Sequence, residues 1–359
     1  MRAQSDKPWI VLVGGFLGSG KTTLLLAAAR ELERRGLRSA VILNDQGDAL
    51  VDTQYAMLHD IPNGEVLDGC FCCRYSDLIS VVEQLRELSP DVIFAEPVGS
   101  CTDISATILQ PLHEMTDSYR IAPYTVLLDP NRVEVLTSQT ADQNLSFLFQ
   151  TQLAEADIVC FTKADLYGKC PDIGLNNVRR MSAKTDQGVA AWLDEVLSGE
   201  LSFGSKVLDI DYQQYAQAEA SLAWLNLQAN ILAEPPVPPV MVLGPLFDQL
   251  DARLTSYGSS IMHLKAIVQS ESGYLKAAIC HNGQQPEVEG ALDASPARRH
   301  ELLLNLRATG EAAQVQNIVE QALAYPSLKI ADLRLKCFHP SAPHPERRVV
   351  TGKLSTHSD

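Results

Sequence analysis

A glycine-rich run near the start of the chain matches the phosphate-loop pattern G-x-x-x-x-G-K-[ST]. Its residues are Gly15, Phe16, Leu17, Gly18, Ser19, Gly20, Lys21 and Thr22. Glycines let successive backbone N–H groups turn toward an anion, and the following helix adds its positive end. Lys21 is predicted to reach the β- and γ-phosphates, Thr22 to bind Mg²⁺, and Thr23 to approach the α-phosphate. The alternative is a strand–helix turn without a ligand, but the flanking elements favour a nucleotide.

Two short motifs further along the chain indicate which base the bound nucleotide carries. They comprise Thr162, Lys163, Ala164 and Asp165, and then Ser182, Ala183 and Lys184. The Asp165 carboxylate can accept hydrogen bonds from N1–H and the exocyclic amine of guanine, whereas adenine would leave it unpaired. The Lys163 stem would lie along the base, and the turn at Ser182 would offer an N–H to guanine O6. Each motif alone could be a solvated turn, but their order after the phosphate loop favours GTP and GDP.

Acidic residues after two predicted strands complete the candidate nucleotide site. Glu96 ends a strand where a carboxylate on the magnesium side is expected, and Gly99 follows where its N–H could contact the γ-phosphate and act as a switch. The alternative is a strand-end acid followed by a turn. Lys21 and Glu96 are the candidate catalytic groups, and Asp45 is the first candidate for positioning the attacking water.

Three cysteines stand close together at Cys70, Cys72 and Cys73. In extended chain the first two would project to one face, and a turn could bring Cys73 round. Three thiolates leave the fourth tetrahedral position open, which suits metal delivery or catalysis. Ligand softness favours Zn²⁺, although Cu(I) or Co²⁺ also fits. The alternative is three thiols packing as small hydrophobes, which is the interpretation given to most of the scattered cysteines, although Cys101 could lie near the nucleotide.

Strand and helix patterns alternate through the first two hundred residues, which predicts an α/β domain with a mostly parallel sheet. The predicted strands are Trp9–Val13, Ser39–Leu43, Asp91–Ala95, Tyr124–Leu128 and Asp157–Thr162. The predicted helices are Thr22–Arg35, Ser76–Leu88, Asp142–Ala154 and Gly188–Leu197. Helices are expected on both faces of the sheet, and ligands at the carboxyl ends of its strands.

A second, smaller α+β domain is predicted over residues 201–325, with a ferredoxin-like layer as the candidate arrangement. Residues 326–359, rich in Pro and His, are predicted to form a mobile tail or a strap over the surface. The predicted elements are strand Ser221–Ile231, a Pro-rich link Glu234–Pro239, helix Val240–Tyr257, strands Ile261–Ser270 and Gly273–His281, and helix Ala313–Leu323. The first domain is accordingly assigned to residues 1–200.

Composition narrows the classes of partner. The 359 residues carry a net charge of −15 without a Lys/Arg stripe, which argues against nucleic acid and anionic membranes. The chain lacks an 18-residue apolar stretch and a recognisable export signal, so a cytoplasmic protein with reduced thiols is expected.

Taken together, the motifs resemble the CobW-type GTPases, relatives of HypB and UreG. The resemblance rests on Gly15–Thr22, Gly69–Cys73, Glu96–Gly99 and Thr162–Asp165. It implies a slow GTPase that delivers zinc, cobalt or another metal to a client metalloprotein, or assists metallocofactor assembly. It also implies a homodimer that forms across the nucleotide face. Two departures stand out: the usual Asn-Glu-Phe-Gly-Glu is Asn44-Asp45-Gln46-Gly47-Asp48, and the His-rich run is missing.

Two other functions compete with metal delivery. The first is a GTP-gated protein-binding switch that serves a corrinoid enzyme and carries no metal, with structural cysteines. The second is a P-loop kinase for a small molecule, which the two base motifs argue against. In the favoured mechanism, the segment Asn44–Asp48 and the turn at Gly99 close on the γ-phosphate, and closure reshapes the thiol site that lies between them in sequence.

Overall fold

The computed structural model describes residues 7–47, 51–324, 328–350 and 353–356. The chain forms two compact units. Unit 1 comprises Met1–Gln46, Ala56–Ala218 and Ala342–Asp359, and unit 2 comprises Gly47–Tyr55 and Glu219–Ser341. Each unit is built from more than one stretch of chain, and the main passage from unit 1 to unit 2 falls after Ala218, compared with the predicted boundary near residue 200.

Unit 1 is built on a mostly parallel sheet, as the strand–helix alternation predicts. Its strands are β1 (Trp9–Gly15), β2 (Ser39–Asn44), β3 (Asn63–Val66), β4 (Val92–Glu96), β5 (Arg120–Ile121), β6 (Thr125–Leu128), β7 (Ile158–Phe161) and β8 (Arg179–Arg180). They are ordered β3-β2-β4-β1-β6-β7-β8, and β5 pairs with β1. Parallel strands covered on both faces are expected to be apolar throughout, and Ile10 to Val13 of β1 are all buried.

Helices connect these strands. They are α1 (Lys21–Arg34), α2 (Val51–Leu58), α3 (Tyr75–Arg86), α4 (Gln110–Leu112), α5 (Pro130–Leu136), α6 (Gln143–Glu155), α7 (Val189–Val196) and α8 (Tyr212–Ala220). A π-helical turn, Ser105–Leu109, precedes α4, and a 3₁₀ turn, His113–Met115, follows it. All five strands and all four helices predicted for the first domain are present, with small shifts at their ends. In the described residues, no helix has the length and hydropathy that a membrane span requires.

Unit 2 contains a six-stranded sheet. Its elements are β9 (Leu222–Val237), α9 (Pro239–Tyr257), β10 (Ile261–Ser270), β11 (Gly273–Ile279), β12 (Glu287–Gly290), β13 (Ala297–Thr309), α10 (Ala312–Ala322) and β14 (Leu328–Phe338). The strand order is β12-β11-β10-β13-β9-β14, with antiparallel neighbours. Without the β11–β12 hairpin, the elements follow the β-α-β-β-α-β order of ferredoxin-like folds.

The chain that leaves β2 contributes to unit 2 before it returns to unit 1. The N–H of Val51 donates to Asn305 Oδ1 of β13 at 2.8 Å, and the Asp52 carboxylate pairs with Lys265 Nζ of β10 at 2.6 Å. The first turn of α2 is therefore fixed to the sheet of unit 2 only a few residues after Asn44.

The tail predicted over residues 326–359 differs from the structure. Leu328–Phe338 pairs with β9 as strand β14, and β15 (Arg347–Val350) pairs with β16 (Lys353–Thr356). The prediction gave too much weight to Pro and His content, because β14 completes a sheet edge whose partner strand lies about a hundred residues earlier. Residues 326–327, 351–352 and 357–359 lie outside the described residues.

Candidate functional site

The phosphate loop connects β1 to α1 and takes the conformation that glycine permits. Gly15, Gly18 and Gly20 have φ angles of 133°, 79° and 91°. A Cβ on Gly15 would lie 2.5 Å from the carbonyl oxygen of Leu127, so a side chain is sterically excluded there. Gly20 directly precedes α1, so the loop ends at the N-terminus of a 14-residue helix. A glycine-rich turn of this kind at a helix N-terminus, here called the cradle, can bind an anion.

Lys21 and Glu96 meet in this cradle because β1 and β4 are neighbouring strands. Lys21 Nζ donates to the Gly15 carbonyl oxygen at 2.9 Å and lies 3.9 Å from Glu96 Oε1, and both side chains are buried. A buried ammonium beside a buried carboxylate balances the charge before a phosphate arrives. Thr22 is buried at the first turn of α1, whereas Thr23 is exposed.

The cradle fits a magnesium–phosphate ligand. The Thr22 hydroxyl and the Glu96 carboxylate supply the hard oxygen donors that Mg²⁺ prefers. The buried Ser19 hydroxyl has no hydrogen-bond partner within the described chain. Buried polar atoms are normally satisfied, so this orphaned hydroxyl points to a polar ligand in the loop.

Gly99 lies against the same loop. A Cβ on Gly99 would come within 2.8 Å of Leu17 Cδ2 and 3.0 Å of Lys21 Nζ. The Gln152 side chain of α6 donates to the carbonyl oxygens of Gly99 at 3.0 Å and Cys101 at 2.8 Å. The backbone after β4 is thus held next to the predicted phosphate-binding lysine.

The two base motifs also come together. Ser182 Oγ donates to Asp165 Oδ1 at 2.6 Å, and the Ala164 N–H donates to the Met181 carbonyl oxygen at 3.0 Å. Asp165 is exposed, as a carboxylate that receives a base must be. Ala183 and Lys184 continue the turn after Ser182, with Ala183 partly buried and Lys184 exposed.

The base motifs are linked to the phosphate loop through Thr162, whose hydroxyl donates to the Ser19 carbonyl oxygen at 2.8 Å. Lys163 has a positive φ of 55°, and its Nζ pairs with Asp129 Oδ2 at 2.8 Å. Sequence analysis missed Asp129, although an Asp-Pro pair directly after a strand indicates a helix N-cap. Its other oxygen caps α5 by accepting from the Asn131 N–H at 2.9 Å.

The three cysteines form a compact sulfur cluster in unit 1. The Sγ–Sγ distances are 2.9 Å for Cys70–Cys72, 3.3 Å for Cys70–Cys73 and 3.8 Å for Cys72–Cys73. The segment is a turn that enters α3, with the Cys73 N–H donating to the Cys70 carbonyl oxygen at 3.0 Å, and differs from the extended chain that was expected. All three sulfur atoms lie within 4.8 Å of one another, a grouping that could hold a thiophilic metal ion.

The three thiols of the cluster differ in the direction of their pKa shifts. Hydrogen bonds from Cys101, Cys72 and Cys73 hold the pKa of Cys70 well below its usual range. The contact with Cys101, followed by that with Cys70, raises the pKa of Cys72. The hydrogen bond to Cys70 raises the pKa of Cys73 to about 12. The neighbouring thiol donors therefore favour the thiolate form of Cys70 over those of Cys72 and Cys73.

A single buried side chain, Asn44 at the end of β2, connects the two candidate sites. Its Nδ2 donates to the carbonyl oxygens of Val66 at 2.8 Å and Gly69 at 2.7 Å. Its Oδ1 accepts from the N–H of Phe71 at 3.0 Å and of Val98 at 3.4 Å. One amide thus satisfies its full donor capacity while binding the cysteine turn and the segment before Gly99.

Asp45 follows Asn44 and is buried, and its N–H donates to the Val66 carbonyl oxygen at 3.2 Å. The structure therefore places this candidate water-positioning residue directly at the carboxyl end of β2. Asp48, the other acid of the predicted closing segment, lies outside the described residues.

Residues 342–349, here called the C-terminal strap, cross the cysteine turn. The His344 N–H donates to Cys73 Sγ at 3.1 Å, and the Glu346 N–H donates to the Cys72 carbonyl oxygen at 2.9 Å. Glu346 Oε2 accepts from the N–H of Ser76 at 2.8 Å and from its hydroxyl at 2.7 Å. A carboxylate at the first turn of α3 is favourable for the helix dipole.

Further along, two arginines of the strap pair with other residues of unit 1. Arg348 Nε donates to Asp103 Oδ2 at 2.7 Å, and the Tyr212 hydroxyl donates to the same oxygen at 2.6 Å. Arg347 pairs with Glu114 at 2.8 Å. Sequence analysis offered a surface strap as one interpretation of this segment but did not name its partners, because they are far away along the chain.

Comparison with known proteins identifies a family whose nucleotide-binding domain matches the part of the chain that carries both candidate sites. Residues 9–187 match the family model "CobW/HypB/UreG, nucleotide-binding domain", a range that includes the phosphate loop, the cysteine turn and both base motifs.

Three relatives share the similarity. The zinc chaperone YjiA of Escherichia coli K12 is 28% identical over 165 residues, which are 45% of this chain and 50% of YjiA. The zinc chaperone CobW of a Sinorhizobium species is 29% identical over 216 residues, or 52% of this chain and 58% of that protein. The zinc-regulated GTPase metalloprotein activator 1 of Schizosaccharomyces pombe is 24% identical over 234 residues, or 62% and 53%.

The chain thus spans little more than half the length of the relatives it matches. The matched part carries the phosphate loop on β1 and α1, the glutamate at the end of β4, and the cysteine turn before α3. Through the domain formed by residues 9–187, the chain belongs to the CobW/HypB/UreG family.

Proposed function

We propose that this protein binds and slowly hydrolyses GTP, and that it uses the nucleotide state to control delivery of Zn²⁺ to a client metalloprotein. The observation that carries the proposal is the set of four hydrogen bonds made by Asn44. They connect the end of β2, the cysteine turn and the segment before Gly99. The names of three relatives, two zinc chaperones and a GTPase metalloprotein activator, support the same function.

The nucleotide half of the proposal assigns roles to the buried residues of the cradle. Lys21 would bind phosphate oxygens in place of its present contact with the Gly15 carbonyl. Thr22 and Glu96 would hold Mg²⁺, which when bound neutralises charge that develops on the phosphate oxygens. Asp45 is proposed to orient the attacking water, and the Gly99 N–H to contact the γ-phosphate.

The metal half treats Zn²⁺ as cargo. A Zn–S bond of about 2.3 Å places the sulfur atoms of a tetrahedral site about 3.8 Å apart. The sulfur atoms here lie 2.9–3.8 Å apart, so only a small expansion of the cluster is needed. This compact thiol group favours a metal carrier over a protein-binding switch without metal cargo, and no further observation supports the corrinoid alternative.

The proposal extends to the cellular compartment of the protein and to its oligomeric state. None of the eight cysteines, all of which lie in the described part of the chain, forms a disulfide, which suits the reducing cytoplasm. Homodimerisation across the nucleotide face is proposed from the family resemblance, and a GTP-dependent mass in light scattering would test it.

The first prediction concerns the base. Asp165→Asn should weaken GTP binding on the order of 100-fold, because the amide cannot accept both guanine hydrogen bonds. The same variant should gain affinity for xanthosine triphosphate, whose carbonyl at position 2 accepts from the new amide. Titration with fluorescent nucleotides measures both effects, and the exposed Asp172→Asn is the matched control. Unchanged selectivity in Asp165→Asn would show that the base lies elsewhere.

The second prediction concerns pH. The pKa values of Cys72 and Cys73 are raised, so these two thiols hold their protons near pH 7 and Zn²⁺ should displace at least two protons on binding. Zinc affinity should then rise with pH by about 100-fold per unit and fall as the thiols hold their protons in acid. Calorimetry in buffers of different ionisation enthalpy counts the protons. Zinc binding without proton release would rule out coordination by these thiols.

The third prediction concerns coupling between the sites. Asn44→Ala should still bind GTP and zinc, but a GTP analogue should change its zinc affinity by less than about twofold, against the 5- to 150-fold typical of coupled sites. Competition with a chromophoric chelator measures the affinities. Asn63→Ala removes an amide that bonds only locally, to the Ile61 carbonyl oxygen at 2.9 Å, and is the control. Coupling that survives in Asn44→Ala would mean that another route connects the sites.

The fourth prediction concerns the strap. Glu346→Ala removes the acceptor of two hydrogen bonds from Ser76, so the strap should open more often and Cys73 should react with alkylating reagents about tenfold faster. Mass spectrometry of alkylated peptides gives the rates, and the exposed Glu87→Ala is the control. Equal rates in the two variants would indicate that the strap does not limit access to Cys73.

A further inference from the structure

The cysteine turn contains a C-x-x-C pair, Cys70 and Cys73, just before α3. The Cys73 N–H donates to the Cys70 carbonyl oxygen at 3.0 Å, which closes a four-residue turn. Such a turn brings its first and last Cα atoms within about 7 Å of each other. The Cα atoms that a disulfide joins lie about 4.4–6.8 Å apart. The backbone therefore holds the two residues at a separation that a disulfide can bridge.

The three sulfur atoms of the turn differ in how far they reach solvent. Cys70 and Cys72 are buried, at 5% and 1% exposed, whereas Cys73 is partly exposed. An oxidant that arrives from solvent therefore meets Cys73 first. Of its two neighbours, Cys70 is the nearer, with an Sγ–Sγ distance of 3.3 Å against 3.8 Å for Cys72. A bond between Cys72 and Cys73 would also close a small ring around one peptide bond, which strongly prefers the trans form.

We propose that a peroxide oxidises Cys70 and Cys73 to a disulfide, and that this modification expels the bound Zn²⁺. The inference rests on the proposed function, because it concerns regulation of the same metal site. The disulfide removes two of the three thiolates, and Cys72 alone does not provide the ligand set of a tetrahedral zinc site. Oxidation thus releases the cargo independently of the nucleotide.

The oxidation has two steps. The Cys73 sulfur attacks the peroxide, the O–O bond breaks, and a sulfenic acid forms while the second oxygen leaves as water or an alcohol. The Cys70 sulfur then attacks the Cys73 sulfur, an S–S bond forms, and the S–O bond breaks with loss of water. The two sulfur atoms together lose two electrons, which the peroxide gains. The thiol protons end in the leaving water or alcohol, and solvent supplies them when zinc-bound thiolates react.

The C-terminal strap controls the first step. The His344 N–H donates to Cys73 Sγ at 3.1 Å, so the strap lies against the cluster sulfur that reaches solvent. Glu346 holds the strap there through its two hydrogen bonds from Ser76. A sulfur electron pair that accepts a hydrogen bond is less available for attack on peroxide, so opening of the strap speeds the oxidation.

The test treats the full-length, zinc-loaded protein with stoichiometric hydrogen peroxide. A chromophoric chelator follows the released Zn²⁺, and alkylation with peptide mass spectrometry locates the remaining thiols. The expected result is loss of the bound zinc as one disulfide forms, with the alkyl label of the turn on Cys72 alone, and recovery of zinc binding after reduction by dithiothreitol. Cys170→Ser removes a partly exposed thiol outside the cluster and is the control, with release at the wild-type rate. Glu346→Ala should release zinc about tenfold faster.

The outcomes separate this inference from the proposed function. A zinc-loaded wild type that keeps its metal in peroxide, or loses it without a bond between Cys70 and Cys73, would overturn the inference and leave the metal carrier intact. Release at the wild-type rate in Glu346→Ala would overturn the control by the strap. A wild-type protein that binds no zinc at these cysteines would overturn both the inference and the proposed function. The wild-type measurement decides the question without substitution of any cysteine in the turn.

Discussion

The hydrogen bonds of one buried amide, Asn44, are the constraint on which the arrangement of the two candidate sites depends. Its four partners belong to three segments that are separated from it by 22 to 54 residues. Leaving any of these buried groups unsatisfied costs about 1–3 kcal/mol. The cysteine turn and the Gly99 segment therefore cannot shift independently of the end of β2 without breaking a bond. A network of this kind has few intermediate arrangements, which is the property a switch requires.

The fold around this amide was predictable where hydrophobic pattern and motif agreed. β1 and β4 are continuous apolar runs, and a mostly parallel sheet follows from their alternation with helices. The central strand β13 was missed, because Ala297–Thr309 is rich in Leu and Arg, which favour helices. Pairing with its two neighbours, β10 and β9, makes it a strand. β3 and α2 were missed because they are short and lie beside irregular chain.

Within the site, the sequence predicts the functional residues of a single segment, but it does not predict the contacts between segments. The phosphate loop and the base motifs are local, so their residues could be named in advance. The partners of Asn44 and the pairing of Lys163 with Asp129 arise from neighbouring strand ends. The strap is the extreme case, since His344 and Cys73 are 271 residues apart. Composition suggested a free tail, but no local pattern indicates such a contact.

The account depends most on thermodynamic coupling between guanine nucleotide and zinc. The direct measurement is the zinc dissociation constant of the wild-type protein with and without a non-hydrolysable GTP analogue, together with the analogue's dissociation constant with and without zinc. Linkage requires the two ratios to be equal, and the account predicts a value of at least about fivefold. Two ratios of one, with both ligands bound, would contradict it, because the sites would then share a scaffold without communicating.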